Sequence, residues 1–153
     1  LAGPVIADLF TSISTTDADF VVKLVDVFPD EFKYNDTLMK GNGKTYPMGG
    51  YQMLVRGEIM RGRYRNSFEK PEAFIPGAIT EVKYALPDVA HVFKKGHRIM
   101  VQIQSSWFPL ADRNPQQFID IYHCSKEDFI PSDIRIYSDK DHPSRIILPI
   151  LHK

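Results

Sequence analysis

The first concentration of groups able to do chemistry is Ser14-Thr15-Thr16-Asp17-Ala18-Asp19. Two carboxylates one residue apart, flanked by hydroxyls, supply the hard oxygen ligands that calcium takes. The set lacks the glycine and the closing glutamate of a calcium loop, and the same residue types bond nearby backbone in turns. The expected role of Asp17 and Asp19 is therefore to fix a turn. The basic concentration is Arg56, Arg61, Arg63 and Arg65, interleaved with Tyr51 and Tyr64. Guanidinium forks fit carboxylates and carbonyl oxygens, which suits a structural or domain-docking role, with anion binding as the other reading. His91, His97, His123, His142 and His152 form no H-E-x-x-H or H-x-x-x-H pair, so no zinc site is indicated.

A nucleophile is harder to find. No serine sits in a G-x-S-x-G elbow, and Ser105-Ser106 lies between Gln104 and Trp107. Cys124 is the single cysteine, so no disulfide forms within the chain. His123 is adjacent to it, but neighbours along a strand point to opposite faces, which leaves Cys124 as a small, partly buried hydrophobe. Gly41-Asn42-Gly43-Lys44-Thr45 resembles the end of a phosphate loop, yet Leu38 holds the position of that loop's first glycine. A flexible loop is the expectation there. Tyr51, Trp107 and Phe108 could stack on sugar rings or anchor an interface. The residues alone name no catalytic group, no metal site and no cofactor.

The elements that position these groups read as strands. Phe20 to Phe28 is almost wholly apolar, carries Lys23 and Asp26 on opposite faces, and stops at Pro29. A strand apolar on both faces belongs in the middle of a sheet. Val5 to Phe10 predicts a strand before it, and Tyr51 to Met60 one after it. Asp30 to Pro47 lacks apolar periodicity and predicts a long surface loop. Pro76-Gly77 predicts a turn. Thr80, Val82, Tyr84 and Leu86 alternate with polar or small residues and predict a half-buried strand, with one helical turn at Pro87 to His91. Lys94-Lys95-Gly96 is a turn signal. Beyond it Ile99, Val101 and Ile103 alternate with Arg98, Met100, Gln102 and Gln104. Phe118 to Tyr122, Ile134 to Tyr137 and Arg145 to Leu151 predict further short strands. Many short strands without a long helix mean an all-β sandwich or jelly roll.

The chain has 153 residues, which suits one domain that folds without a metal or disulfide. Lys plus Arg and Asp plus Glu are both 19, giving zero net charge. That balance argues against nucleic acid or an anionic membrane surface as partner. No apolar run approaches the roughly 20 residues of a membrane span. The compartment stays open. The start at Leu1 rather than Met is read as a cut inside a longer protein.

Several of these segments together carry a family resemblance. Thr16-Asp17-Ala18-Asp19-Phe20-Val21-Val22-Lys23-Leu24-Val25-Asp26-Val27-Phe28-Pro29 resembles the T-D-A-D-[FW]-x-V-K-L-x-D-V-x-P segment of one hydrolase family's C-terminal domain. That family is the X-Pro dipeptidyl-peptidase, cocaine esterase and α-amino-acid ester hydrolase grouping of serine hydrolases. Gly50-Tyr51-Gln52, Arg61-Gly62-Arg63-Tyr64-Arg65, Phe93-Lys94-Lys95-Gly96-His97-Arg98-Ile99 and Ser105-Ser106-Trp107-Phe108-Pro109 match in the family's order, and Asp112-Arg113-Asn114-Pro115 follows. The segment from Arg61 to Glu69 and the one from Asp112 to Pro115 look nearest the α-amino-acid ester hydrolase branch.

The resemblance implies a single C-terminal jelly-roll β-sandwich of galactose-binding-like type over 1–153. It also implies an upstream α/β-hydrolase domain in the parent as its partner, and that domain holds the nucleophilic Ser, the Asp and the His. None of those three maps onto this chain. Tyr51, Arg61, Arg63, Tyr64, Trp107, Phe108 and Arg113 become the candidate docking surface toward that domain. An exposed docking face would let the isolated chain self-associate. The competing reading is a carbohydrate-binding module, since galactose-binding-like sandwiches often bind sugars.

Overall fold

The computed structural model describes residues 1–32, 40–41, 44–45 and 48–151. Nine strands build it: β1 (Ala2–Ile13), β2 (Asp19–Val27), β3 (Lys40–Gly41), β4 (Lys44–Thr45), β5 (Gln52–Arg61), β6 (Thr80–Ala90), β7 (Arg98–Gln104), β8 (Ile134–Tyr137) and β9 (Arg145–Ile147). Single 3-10 turns at Gly62–Tyr64 and Lys126–Asp128 are the helical elements among the described residues.

Two antiparallel sheets face each other. In one, β1 is central, with β6 along one edge and β8 and β9 in tandem along the other. In the other, β2 is central between β5 and β7. The chain passes back and forth between the sheets, so most neighbours are not consecutive, as in a jelly roll. The expected all-β sandwich is therefore the observed one.

The pattern in β2 explains its place. Phe20, Val22 and Leu24 point inward and join Val5, Ala7, Leu9 and Ile13 of β1 in the core. Val21, Val25 and Val27 point to the other face and are buried as well. Only a central strand with cover on both faces accommodates that composition. In β6, Val82, Tyr84 and Leu86 turn inward with exposures of 0%, 7% and 1%, as the period-two reading requires, and Val89 joins them beyond the register shift.

Three expectations change. Pro87 to His91 forms no helical turn; β6 runs on through Pro87 to Ala90. Proline fits there because β6 is an edge strand and the register against β1 shifts between Gly3 and Val5, so no ladder hydrogen bond is forfeited. The loop expected over Asp30 to Pro47 contains an antiparallel pair, Lys40–Gly41 with Lys44–Thr45. Residues 33–39, 42–43 and 46–47 of that loop lie outside the described residues. Phe118 to Tyr122 is bends and turns rather than a strand.

The inner face of β7 also differs from that of its counterpart β6. Ile99, Val101 and Ile103 lie opposite Asp26, Leu24 and Val22, so they share the core-facing side of their sheet. They are nonetheless 52%, 38% and 40% exposed.

Candidate functional site

The turn between β1 and β2 places Asp17 and Asp19 at one end of the sandwich, where burial leaves Asp17 at 0% and Asp19 at 2% exposure. A carboxylate taken that far from water requires partners. Asp17 Oδ1 accepts the backbone N–H of Ala18 at 3.0 Å and of Arg63 at 3.1 Å. Its Oδ2 accepts Arg63 Nε at 2.7 Å and Asn114 Nδ2 at 3.1 Å. Asp19 Oδ1 accepts Arg61 Nε at 3.2 Å and Asn114 Nδ2 at 2.8 Å. Burial pushes the Asp19 carboxyl above the ordinary carboxylate range, against the pull of Asn114 and Arg61.

Both arginines then reach onward. Arg61 Nη2 donates to the Asp112 carbonyl at 3.0 Å. Arg63 Nη1 donates to Ile119 O at 2.8 Å and Nη2 to Gln117 O at 3.2 Å, and its guanidinium lies 4.9 Å from the centre of the Phe118 ring. The network ties the β1–β2 turn, the 3-10 turn after β5 and the segment from Asp112 to Ile119 into one unit. The expected turn-fixing role of Asp17 corresponds to its contact with the Ala18 N–H, while the Arg63 N–H joins the turn to a distant segment. The arginine partners and Asn114 were not foreseen. The only signal for Asn114 was its place in Asp112-Arg113-Asn114-Pro115, and nothing in spacing joins residues so far apart in sequence.

Of the other candidate residues, Tyr64 borders this cluster and the rest take no part in its hydrogen bonds. Tyr64 lines a cleft of about 370 Å³ with Arg61, Arg63, Phe118, Ile119 and Tyr122, and its ring stacks on Phe68 at 6.1 Å. Trp107 lies over Gly57 on the outer face of the β5–β2–β7 sheet, with Lys23 Nζ 4.4 Å from its ring centre. Phe108 projects from the following turn and is 65% exposed. The exposed Arg113 sets its guanidinium 5.3 Å from the centre of the Phe129 ring. Tyr51 stands just before β5, edge-on to Phe28 at 5.7 Å. The ten residues of β5 separate it from the arginine cluster, a span of roughly 33 Å at the rise of a strand.

Asp26 of β2 is a further buried carboxylate, at 1% exposure. Asp26 accepts His91 Nε2 at 2.9 Å and His97 Nδ1 at 2.8 Å, one on each oxygen. The signal was an acid in an otherwise apolar strand, which must find partners. The remaining described histidine rings also go to aspartates, His123 to Asp120 at 2.7 Å and His142 to Asp139 at 3.1 Å. No serine hydroxyl bonds a histidine ring among the described residues. Nor do the described residues gather three or more metal-ligating side chains. Cys124 is half-buried, its Sγ donating to Ile121 O at 3.1 Å. No helix of the described chain is long and apolar enough to cross a membrane.

Comparison with known proteins adds the following. The family model for the X-Pro dipeptidyl-peptidase C-terminal non-catalytic domain matches residues 1–147. Cocaine esterase of Rhodococcus sp. (strain MB1 Bresler) is 37% identical over 153 residues, which is 100% of this chain and 23% of that protein. A solved aminopeptidase from a marine sediment archaeon, Thaumarchaeota archaeon, superposes with a TM-score of 0.84 at 43% identity, covering 95% of this chain and 22% of the other. A solved α-amino acid ester hydrolase superposes with a TM-score of 0.83 at 39% identity, covering 94% of this chain and 22% of the other. The chain thus spans less than a quarter of the length of these relatives.

Proposed function

The chain belongs to the family of X-Pro dipeptidyl-peptidase C-terminal non-catalytic domains, and from that footing we propose that it serves as the accessory jelly roll of a larger serine hydrolase. Its parent cleaves acyl or α-amino-acid esters or amides. An activated serine and an oxyanion hole in an upstream α/β-hydrolase domain do that chemistry. The contribution of this chain is to pack on that domain, stabilise it and shape the active-site side.

The observation that carries the reading is the coverage. This chain matches less than a quarter of an esterase, an aminopeptidase and an ester hydrolase by name, through a domain whose family is non-catalytic.

The docking surface is proposed among Tyr51, Arg61, Arg63, Tyr64, Trp107, Phe108 and Arg113. Their roles differ by position. Phe108, Arg113 and Tyr51 present exposed side chains for direct contact. Arg61 and Arg63 act from beneath, holding the segment 112–119 in place through the carbonyl contacts described above.

Phe108→Ala in the full-length parent tests the assignment. Its expected effect is a lower melting temperature of the whole protein or a raised KM, with kcat on a preferred ester within about twofold of the parent. A kcat lowered a thousandfold with binding unchanged would place this chain in the chemistry and refute the assignment.

A further inference from the structure

Along the long side where β5 packs over β6, the inward residues of β6 are sealed, yet a cleft of about 570 Å³ lies over the seam. Met60 of β5 and Tyr84 and Ala85 of β6 line it with apolar surface, and the segment from Tyr64 to Phe68 forms a further wall. Tyr84 spends its hydroxyl hydrogen on the Phe20 carbonyl at 2.9 Å, so it adds ring surface rather than a donor. The rings of Tyr64 and Phe68 stack at 6.1 Å, and Phe68 is 78% exposed. A large aromatic ring held by a neighbour yet left to solvent is a ready platform for a ligand. Tyr51, Trp107 and Phe108, the sugar platforms expected from sequence, do not line this cleft.

We infer that the cleft binds a neutral sugar, one pyranose face lying on Phe68 and the hydroxyls shared among polar groups of the walls. The spare hydrogen-bonding capacity selects that class. Glu58 uses Oε1 on the Ile59 N–H at 2.8 Å, which leaves Oε2 as an acceptor. Ser67 Oγ accepts the N–H groups of Glu69 and Lys70 at 3.1 and 3.2 Å, so its own hydrogen is unspent. Asn66 Nδ2 donates to Glu72 at 2.7 Å, and its Oδ1 stays available. Arg65 is 8% exposed and its Nε–H has no partner among the described residues. Spare donors and acceptors beside an aromatic face match a ring whose hydroxyls both give and accept and whose C–H face is apolar. An anion would meet the Glu58 carboxylate, while the Lys83 ammonium is already held by Asp8 at 3.2 Å. A cation would meet Arg65 and Lys83 in the same wall. The assignment stands apart from the hydrolase reading.

Titration of the full-length parent with methyl β-galactoside, methyl α-glucoside and methyl α-mannoside, followed by saturation-transfer NMR, tests this. Sodium benzoate and N-acetylproline amide serve as the anionic and peptide competitors. The expected result is saturable binding of at least one glycoside with a Kd below about 10 mM. Phe68→Ala should weaken that binding about tenfold, the worth of an aromatic contact of this size, with an unchanged melting temperature because the ring is exposed. Glu58→Ala should weaken it by a similar factor through a lost charged acceptor. Failure of all three glycosides to bind below about 10 mM overturns the inference. Binding that both variants leave intact overturns the location. Tighter binding of benzoate or of N-acetylproline amide than of any glycoside overturns the ligand class. Each outcome is read without ester hydrolysis, so the hydrolase reading is tested separately.

Discussion

Asp17 shows how a short motif specifies structure without chemistry. Its side chain takes four donors from three different segments: Ala18, Arg63 and Asn114. Replacement by alanine leaves the Arg63 guanidinium inside the molecule without its counter-charge, and removing one member of a buried pair costs about 3–5 kcal/mol. Asp17→Ala should therefore lower the unfolding free energy of the domain by about that amount in urea titration. A loss of about 1 kcal/mol, the worth of a simple cap, would show that the ion pair contributes little beyond the turn. The composition of the motif was readable as a turn because Ser, Thr and Asp bond local backbone. Its partners were not, because Arg63 lies 46 residues from Asp17 and Asn114 lies 97 away. A contact of that range is made by the fold and leaves no local periodicity. Asp26 repeats the lesson, since His91 and His97 reach it from outside its own strand.

At the scale of elements, period-two alternation was a sound guide wherever one face is covered. It recovered β6 and β7, and the doubly apolar β2 was correctly placed at the centre of a sheet. The helical turn expected over Pro87 to His91 is instead a continuation of β6, which an edge position allows despite the proline. It also could not show that the apolar face of β7 would be left open, because alternation reports which residues share a face and not what lies opposite.

Gly57 in β5 marks a close approach of the same kind. A Cβ built there would stand 2.5 Å from the Trp107 ring, a distance the indole can relieve only by lifting away. Trp107 is the single tryptophan, so its emission reports on this contact directly. Gly57→Ala should shift the emission to longer wavelength as the indole gains water. An unchanged spectrum would mean that Trp107 does not rest on Gly57 in solution.

At the scale of the whole molecule, the domain is a sandwich sealed on one side and open on the other, with a polar network binding one end. The identity of the fold was legible because several ordered segments matched one family. Which of the candidate surface residues are free to meet a partner was not, since Arg61 and Arg63 hold internal contacts that only three dimensions reveal. The central claim is that this chain carries no hydrolytic centre of its own. It is tested most directly by assaying the purified 153-residue chain against p-nitrophenyl acetate and an aminoacyl ester. The account predicts a rate equal to that of buffer for both. Turnover that disappears when a serine of this chain is changed to alanine would contradict it.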